Sequence, residues 1–377
     1  MPIVRIAVVG GGRVGTVVAW DLARTLEDVE VVVGTRNPER TRERLLQLGA
    51  KSVEVKRVDA ADRSGLESFL RGFELAVGAL PGRLGFRFLE ACIAQGVDAV
   101  DVSYMPENPF DLNERAVDAT VQIVPDAGIA PGVSNLLVGY AMGLLRVSEV
   151  DEVRILVGGI PEKPIGPLGY VVTWSVDDLI DEYLRPARIV ENGQVVEVEA
   201  LSGLERVEVP GIGDLEAFYT DGLRTLLVTV KAKRMYEKTL RWPGHAQTVK
   251  LLRDLGFFEP DVRSTTAKVL ERRLRKEGVP DLVVLLVSVR AAATEKEFHV
   301  VVRYDAERRL TAMAQATGFA TAGFAWLVAR RRLKPLGVIP PEYVGMRTCV
   351  AEEFLDYLMR RRFSVRKSEP KEGEIRH

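Results

Sequence analysis

The stretch Ile3-Val4-Arg5-Ile6-Ala7-Val8-Val9-Gly10-Gly11-Gly12-Arg13-Val14-Gly15 decides the fold of this chain. Its first half is an apolar run, as in a strand buried on both faces, and Gly10, Gly12 and Gly15 follow at GxGxxG spacing. Residues 14–26 then read as a helix, and residues 29–33 form a second apolar run ending in Gly34-Thr35-Arg36-Asn37. In a strand–turn–helix–strand unit each glycine has its own task. Gly10 permits the tight turn, Gly12 lets the backbone approach a pyrophosphate, and Gly15 allows the helix to pack closely on the strand. Unpaired amides at the helix start, those of Arg13 and Val14 among them, face the phosphates, and the helix dipole favours their charge. The pattern implies a dinucleotide site.

The end of the second strand bears on which dinucleotide. A site for NAD usually has an Asp or Glu there to accept from the ribose 2′-hydroxyl. Gly34-Thr35-Arg36-Asn37 offers none, and a guanidinium binds a 2′-phosphate through forked hydrogen bonds. NADP is therefore favoured, with Thr35, Arg36 and Asn37 around its adenosine end. In the other reading Arg36 is a solvated first-turn residue, Pro38 opens the next helix at N1, and NAD is held through Asp59 or the backbone.

At 377 residues the chain has room for two domains with substantial cores. Its net charge of −1 argues against nucleic acid or an anionic membrane as the main partner. Cys92 and Cys349 form no CxxC, so a disulfide framework or thiolate metal site is not expected and a reducing cytoplasm is. The three histidines, His245, His299 and His377, are too scattered to read as a metal site. No signal peptide is expected before the first strand, and no apolar span is long enough for a membrane helix.

Through the first third, apolar runs at 52–58, 75–79, 97–102 and 121–124 alternate with helical patterns at 64–71, 85–95 and 112–119. That alternation predicts a Rossmann-type, doubly wound parallel sheet. Ligands of such sheets sit beyond the carboxyl ends of the strands. The rim then carries Gly10–Gly15, Thr35–Asn37, Asp59, Ala79-Leu80-Pro81, Ser103-Tyr104-Met105 and Asp126 to Gly132. After Asn135 the pattern changes to a helix at 136–145 and many strands, among them 153–158, 170–174, 188–190, 195–198, 224–231, 236–241, 282–291 and 297–304. Helices are expected at 246–255, 264–276, 317–332 and 349–361. This predicts a Rossmann domain over 1–133 and an α+β domain with a mixed sheet over 134–316, for substrate binding and dimerisation. Helices over 317–377 would pack back on the Rossmann domain. The charged tail from Lys367 is expected to fray.

The motifs together resemble a known group. Gly10–Gly15, the segment Asp98–Tyr104, Val124-Pro125-Asp126-Ala127-Gly128-Ile129-Ala130-Pro131-Gly132 and Arg241-Trp242-Pro243-Gly244-His245-Ala246 resemble the saccharopine-dehydrogenase-like superfamily. Val157-Gly158-Gly159-Ile160-Pro161, Leu215-Glu216-Ala217-Phe218 and Gly337-Val338-Ile339-Pro340-Pro341 extend the resemblance over nearly the whole chain. The lysine 6-dehydrogenase branch is the most similar. Saccharopine reductases carry Asp-Pro-Gly and then Asp-His where this chain has Ala130-Pro131-Gly132 and Ser134-Asn135. Lysine 6-dehydrogenases, for their part, have an acidic residue where Arg36 stands.

The resemblance implies oxidation of the ε-amine of L-lysine by hydride transfer to NADP or NAD, hydrolysis of the imine, and cyclisation of the aldehyde. Such chemistry needs a neutral amine, an activated water and a carboxylate anchor. Arg224, after Asp221-Gly222-Leu223, is the expected anchor, its plain alternative being a solvated strand-edge arginine. His245 is expected to bind substrate or relay a proton, or else to be a neutral structural histidine at a helix start. Asp126 either deprotonates amine or water or braces the Gly128–Gly132 loop. Tyr104, Glu216 and Tyr219 are further substrate-binding candidates, and Asp59 is either an adenine neighbour or a helix cap.

Two other readings compete. A saccharopine or carboxyspermidine type of enzyme joins amine and carbonyl reductively and needs a second carboxylate anchor, for which Arg185 and Arg241 are candidates. A non-catalytic NADP(H) sensor would bind coenzyme without turnover. A homodimer through the sheet of the second domain is expected from its many strand edges.

Overall fold

The computed structural model describes residues 4–276 and 278–367. Its elements run β1 (Val4–Val9), α1 (Arg13–Thr25), β2 (Val29–Thr35), α2 (Pro38–Gln47), β3 (Glu54–Arg57), α3 (Arg63–Leu70), β4 (Leu75–Gly78), α4 (Gly82–Gln95), β5 (Asp98–Asp101), α5 (Asn113–Asp118), β6 (Gln122–Val124) and α6 (Val133–Leu145). There follow β7 (Glu149–Pro161), α7 (Val176–Leu184), β8 (Ala187–Glu191), β9 (Gln194–Val198), β10 (Glu205–Val209), β11 (Gly213–Tyr219), α8 (Leu226–Thr229), β12 (Lys231–Arg241), α9 (His245–Asp254) and α10 (Pro260–Leu274). The chain ends with β13 (Asp281–Ala291), β14 (Thr294–Arg303), α11 (Ala312–Ala329), β15 (Gly337–Val338), α12 (Pro341–Met346), α13 (Thr348–Met359) and β16 (Ser364–Lys367).

Two compact units result. One comprises the described part of Met1–Tyr140 with Ala314–Arg362, the other Ala141–Met313 with the described part of Phe363–His377. The division falls inside α6, and again inside α11, whereas the sequence patterns placed the boundaries at 133/134 and 316/317. Strand β16 pairs with β14, so Lys367 is ordered in a sheet; the rest of the charged tail, His377 included, lies outside the described residues.

The first unit is a parallel sheet in the order β15-β6-β5-β4-β1-β2-β3. Its central strands are apolar because both faces are covered, with Ile6, Ala7, Val8, Val32, Val33, Ala76 and Val77 all fully buried, whereas the edge strand β3 is polar and mostly exposed. The order reverses between β1 and β4, and Val9 pairs with Gly34 on one side and Gly78 on the other. At that switch point the backbones nearly touch. Gly10 has φ +116°, and a Cβ there would lie 2.2 Å from the Ala79 carbonyl oxygen. A Cβ on Gly15 would lie 1.8 Å from the carbonyl oxygen of Gly10.

The carboxy-terminal helices of this unit are tied to α1 by a buried ion pair. Asp21 and the Arg361 Nε are 2.6 Å apart, with side chains 0% and 5% exposed. The Tyr357 hydroxyl also donates to Asp21, and Arg361 donates to the Thr25 hydroxyl at 2.8 Å. Glu and Asp rarely sit so deep without a partner.

The second unit holds a mixed sheet, β10-β11-β12-β7-β13-β14-β16, with β8 bridging β12 and β9. Only β7 and β12 pair in parallel; the remaining pairs are antiparallel. Two expected strands are absent. Residues 170–174 form irregular chain, their alternation serving a core with Tyr170 and Val172 buried and the Trp174 indole donating to the Tyr170 hydroxyl at 2.9 Å. Residues 224–230 form a turn and α8, where the Thr229 hydroxyl bonds back to the Thr225 carbonyl at 2.9 Å. No helix among the described residues is long and apolar enough to cross a membrane. Both cysteines are free thiols, Cys92 buried and Cys349 exposed.

Replacing Asp21 by Ala strands the Arg361 charge in the interior. The expected cost is about 3–5 kcal/mol, read as a lowered urea midpoint at unchanged slope; a change under about 1 kcal/mol would mean the pair does not hold the terminal helices.

Candidate functional site

On the first unit the site begins at the glycine loop. Gly12 is the N-cap of α1 with extended backbone, and a Cβ placed on it meets nothing within 4 Å. Crowding at Gly10 and Gly15 and openness at Gly12 match the three tasks of the motif. A cation of α2 reaches the loop. Arg44, one turn beyond Arg40 on α2, donates from Nη1 to the Gly11 carbonyl at 3.2 Å. Burial lowers its pKa, and the charges of Arg40 and Arg13 lower it further, so three guanidiniums share one neighbourhood. The spacing Arg36, Arg40, Arg44 was visible in the sequence, but only Arg36 drew notice.

The other expected coenzyme residues fall into place unevenly. Arg36 is exposed, and its carbonyl accepts from Arg57 at 3.2 Å. Thr35 is buried beside Thr41, whose hydroxyl donates to the Gly11 carbonyl at 3.2 Å. The Asn37 side chain caps α2, accepting from the Arg40 amide at 3.2 Å. Asp59 is exposed and closes a local turn on the Ala61 amide at 3.0 Å, while the cap position of α3 belongs to Asp62. The Ala79 amide donates to the Val9 carbonyl at 2.8 Å, and Pro81 is the N-cap of α4 behind Leu80.

Ser103 is spoken for. Its amide donates to the Asp101 carboxylate at 3.0 Å and its hydroxyl donates to the same oxygen. Asp101, buried at the end of β5, escaped the sequence reading because nothing in an apolar run marks a carboxylate as a brace. Tyr104 is half-buried beside Gly82. Asp126 follows β6 with φ +53° and is 1% exposed. The amides of Gly128, Val133 and Ser134 bond within the 128–134 loop itself.

On the second unit, strand alternation separates the candidates. Glu216 pairs with Arg241, Phe218 with Thr239, and Tyr219 with Lys238. Tyr219 thus lies on the opposite face from Glu216, edge-on to Tyr236 with the Lys238 ammonium 4.5 Å from its ring centre. Glu216 is a helix cap: its carboxylate accepts from the Gly244 amide at 2.8 Å and the Ala246 amide at 2.6 Å, neutralising the start of α9. Both carboxylate oxygens of Glu216 are thereby engaged by backbone amides.

His245 is likewise held inside the core. It is 1% exposed, and its Nδ1–H donates to the Leu168 carbonyl at 2.8 Å, since a carbonyl can only accept. That tautomer leaves Nε2 to accept from the Tyr183 hydroxyl at 2.8 Å. Burial first, and the nearby Arg241 charge second, push its pKa down to about 3. Arg241, a candidate second anchor, is 4% exposed, lies over the Tyr170 ring, and donates to Glu182 at 3.0 Å and to the Leu240 carbonyl at 3.0 Å. Arg185 is half-buried.

Arg224 keeps its place as a candidate anchor. It is half-buried at φ +52° on a turn that Asp221 fastens to β8, accepting from Arg188 Nε and Nη2 at 2.9 Å each. Beneath the turn sits Glu237, 5% exposed, which the sequence reading passed over as one charge in a strand of charges. Burial, then the neighbouring Asp221 and Glu182 carboxylates, push its pKa up to about 8.

A glycine-loop Rossmann unit with Arg44 bonded to the loop, joined in sequence to a mixed-sheet unit, defines a dinucleotide-binding protein of two units. Family models narrow this further. The model described as saccharopine dehydrogenase NADP binding domain matches residues 6–124, and that described as saccharopine dehydrogenase C-terminal domain matches residues 128–363. The chain belongs to the saccharopine dehydrogenase family. It is 23% identical over 250 residues to alpha-aminoadipic semialdehyde synthase of Arabidopsis thaliana, covering 62% of this chain and 23% of that protein. With saccharopine dehydrogenase (NADP(+), L-glutamate-forming) of Saccharomyces cerevisiae it shares 24% over 281 residues, 70% of this chain and 60% of the relative. The chain thus spans less than two thirds of these curated relatives. The solved apo saccharopine dehydrogenase (L-Glu forming) from Saccharomyces cerevisiae has the same fold, with TM-score 0.77 at 16% identity, covering 97% of this chain and 100% of that one.

The histidine assignment has a direct check. In an NMR titration the His245 ring should hold its neutral Nδ1–H form from pH 8 to pH 5, given a pKa of about 3. Because the unfolded ring protonates near pH ~6.5, the folded state loses stability progressively below that pH. A His245 titration midpoint near the unperturbed value would restore the proton-relay assignment.

Proposed function

We propose that this chain is an NADP-dependent dehydrogenase acting on a carbon–nitrogen bond of an amino acid, with the ε-amine of L-lysine as its substrate group. The observation that carries the coenzyme half is the glycine loop with Arg44 bonded to its Gly11 carbonyl, the charges of Arg40 and Arg13 acting on Arg44, and no Asp or Glu among residues 34–37. Such a cationic cluster suits a 2′-phosphate and would leave the bare hydroxyl of NAD without a carboxylate acceptor. The bound coenzyme would accept hydride from the carbon that bears the amine, or return it in the reverse direction. Asp126 carries the proton that the amine must shed, on a carboxylate at the end of β6. Arg224 binds the substrate carboxylate in forked geometry.

The choice of lysine over a larger substrate is supported by Arg241. Saccharopine has more carboxylates to hold, and Arg241 is committed to Glu182 inside the core. A second reading, saccharopine cleavage or formation, is favoured by the names of the relatives.

The test is reduction of coenzyme, followed anaerobically by nicotinamide absorbance, with NADP⁺ or NAD⁺ and each of L-lysine, saccharopine and ornithine. Turnover with L-lysine and NADP⁺ is expected. Signal with saccharopine alone would put the second reading in its place, and coenzyme binding without turnover would point to a sensor. Arg44→Ala is expected to raise KM for NADP⁺ about tenfold, roughly 1.4 kcal/mol, and to leave that for NAD⁺ nearly unchanged. Equal losses for both coenzymes would show that Arg44 supports the loop and does not read the phosphate.

A further inference from the structure

Glu237 is the one charged-type side chain of the β12 core face whose carboxyl is left with an unmatched oxygen: Oε2 has no hydrogen-bond partner among the described residues. Two carboxylates act on it electrostatically. Asp221, on the turn after β11, is paired with Arg188 of β8, and Glu182, on α7, is paired with Arg241 further along β12. Arg188 and Arg241 thus each have a carboxylate partner. Over Oε1 lies Gly222, so close that a Cβ there would come within 1.6 Å of that oxygen. The Thr220 amide donates to the Glu237 carbonyl at 3.2 Å, and the hydroxyls of Thr220 and Thr239 meet at 3.0 Å. Leu223 is fully buried, and Arg224 follows at positive φ.

We propose that Glu237 is a positioning residue: its uncharged carboxyl lets the 220–224 turn close on β12 and hold Arg224 in place for an amino-acid carboxylate, and its ionisation releases the turn. The catalytic part of this statement rests on Arg224 being the anchor; the latch itself does not. An ionised Glu237 sets three carboxylates against one another beneath Gly222, where only the lack of a Cβ leaves room for the carboxyl, and on this proposal the turn is the member that moves. Burial and those two carboxylates place the transition near pH 8, above the ordinary carboxylate range.

The test compares the full chain with Glu237→Gln, which keeps the shape and cannot ionise. The first readout is hydrogen exchange of peptides spanning 220–225, wild type against variant at the same pH so that intrinsic exchange cancels. At pH 6 the two are expected to agree. At pH 9.5 the wild-type turn should exchange at least about fivefold faster than the variant. The second readout is KM against kcat for an amino-acid substrate that turns over. Wild-type KM should rise by a similar factor between those pH values while kcat follows that of the variant, and the variant KM should lack this rise. Equal exchange at both pH values overturns the latch whatever the activity. Differential exchange with no change in KM, or with no turnover of any amino acid, keeps the latch and removes Arg224 as the anchor. Glu237→Met, similar in length and uncharged, serves the same comparison should the Gln variant fail to fold.

Discussion

Everything on the first unit depends on a steric constraint at the head of β1. Gly10, Gly15 and Ala79 bring three backbones closer than any Cβ would allow, with the Gly10 position also left-handed. That approach seats α1 directly behind the loop, so its first amides and the open side of Gly12 face outward together. The same tightness draws α2 in: Arg44 and Thr41 both bond to the carbonyl of Gly11. A sequence that needed only a turn could have used other residues. Paired crowding at two glycines with openness at the third is the mark of a loop shaped around something else.

On the second unit the organising device is the buried strand carboxylate that caps a helix. Glu216 of β11 takes the first amides of α9, and Asp281 of β13 accepts from the Ala312 and Met313 amides at 2.7 and 3.2 Å, at the start of α11. Orphan amides at a helix start carry partial positive charge, so a carboxylate satisfies both the hydrogen bonds and the dipole. This leaves little room for either residue in chemistry. His245 follows from the same arrangement, since the capped first turn places its ring among Tyr170, Tyr183 and Phe218.

The fold was legible where local patterns and global layers agreed. The glycine fingerprint and the short strand runs located β1 to β6 within a few residues; a strand covered on both faces has a one-line signature, and the exposed edge strand β3 lacks it. Residues 170–174 and 224–230 were misread as strands because aromatic and β-branched alternation marks burial as well as pairing. The site was legible in part. Arg36 was visible as the residue replacing an acid, yet Arg44 needed the helix to carry it back to the loop. Glu216 and His245 were drawn from a resemblance, and only the cap and the occupied ring nitrogens reveal what holds them. Nothing linear in the chain could set Tyr219 apart from Glu216; the register of β11 on β12 did so.

Glu237 shows how the accounting of buried charge turns into a function of pH. Arg188 and Arg241 remain charged in any fold, and each is matched by one carboxylate. A third carboxyl in the same volume then has no cation, and the least costly outcome is for it to keep its proton. The sign of the linkage follows. Unfolded, the group ionises near pH ~4.3; folded, near pH 8, so the native state binds the extra proton between those values. Its contribution to stability is complete at the acid end, declines as pH rises through that window and is gone above it. A hydrophobic residue at 237 would avoid that loss. On the proposed latch the acid there loosens, at alkaline pH, a turn that Asp221 fastens to Arg188 of β8, and half-buried Arg224 stands at the end of that turn.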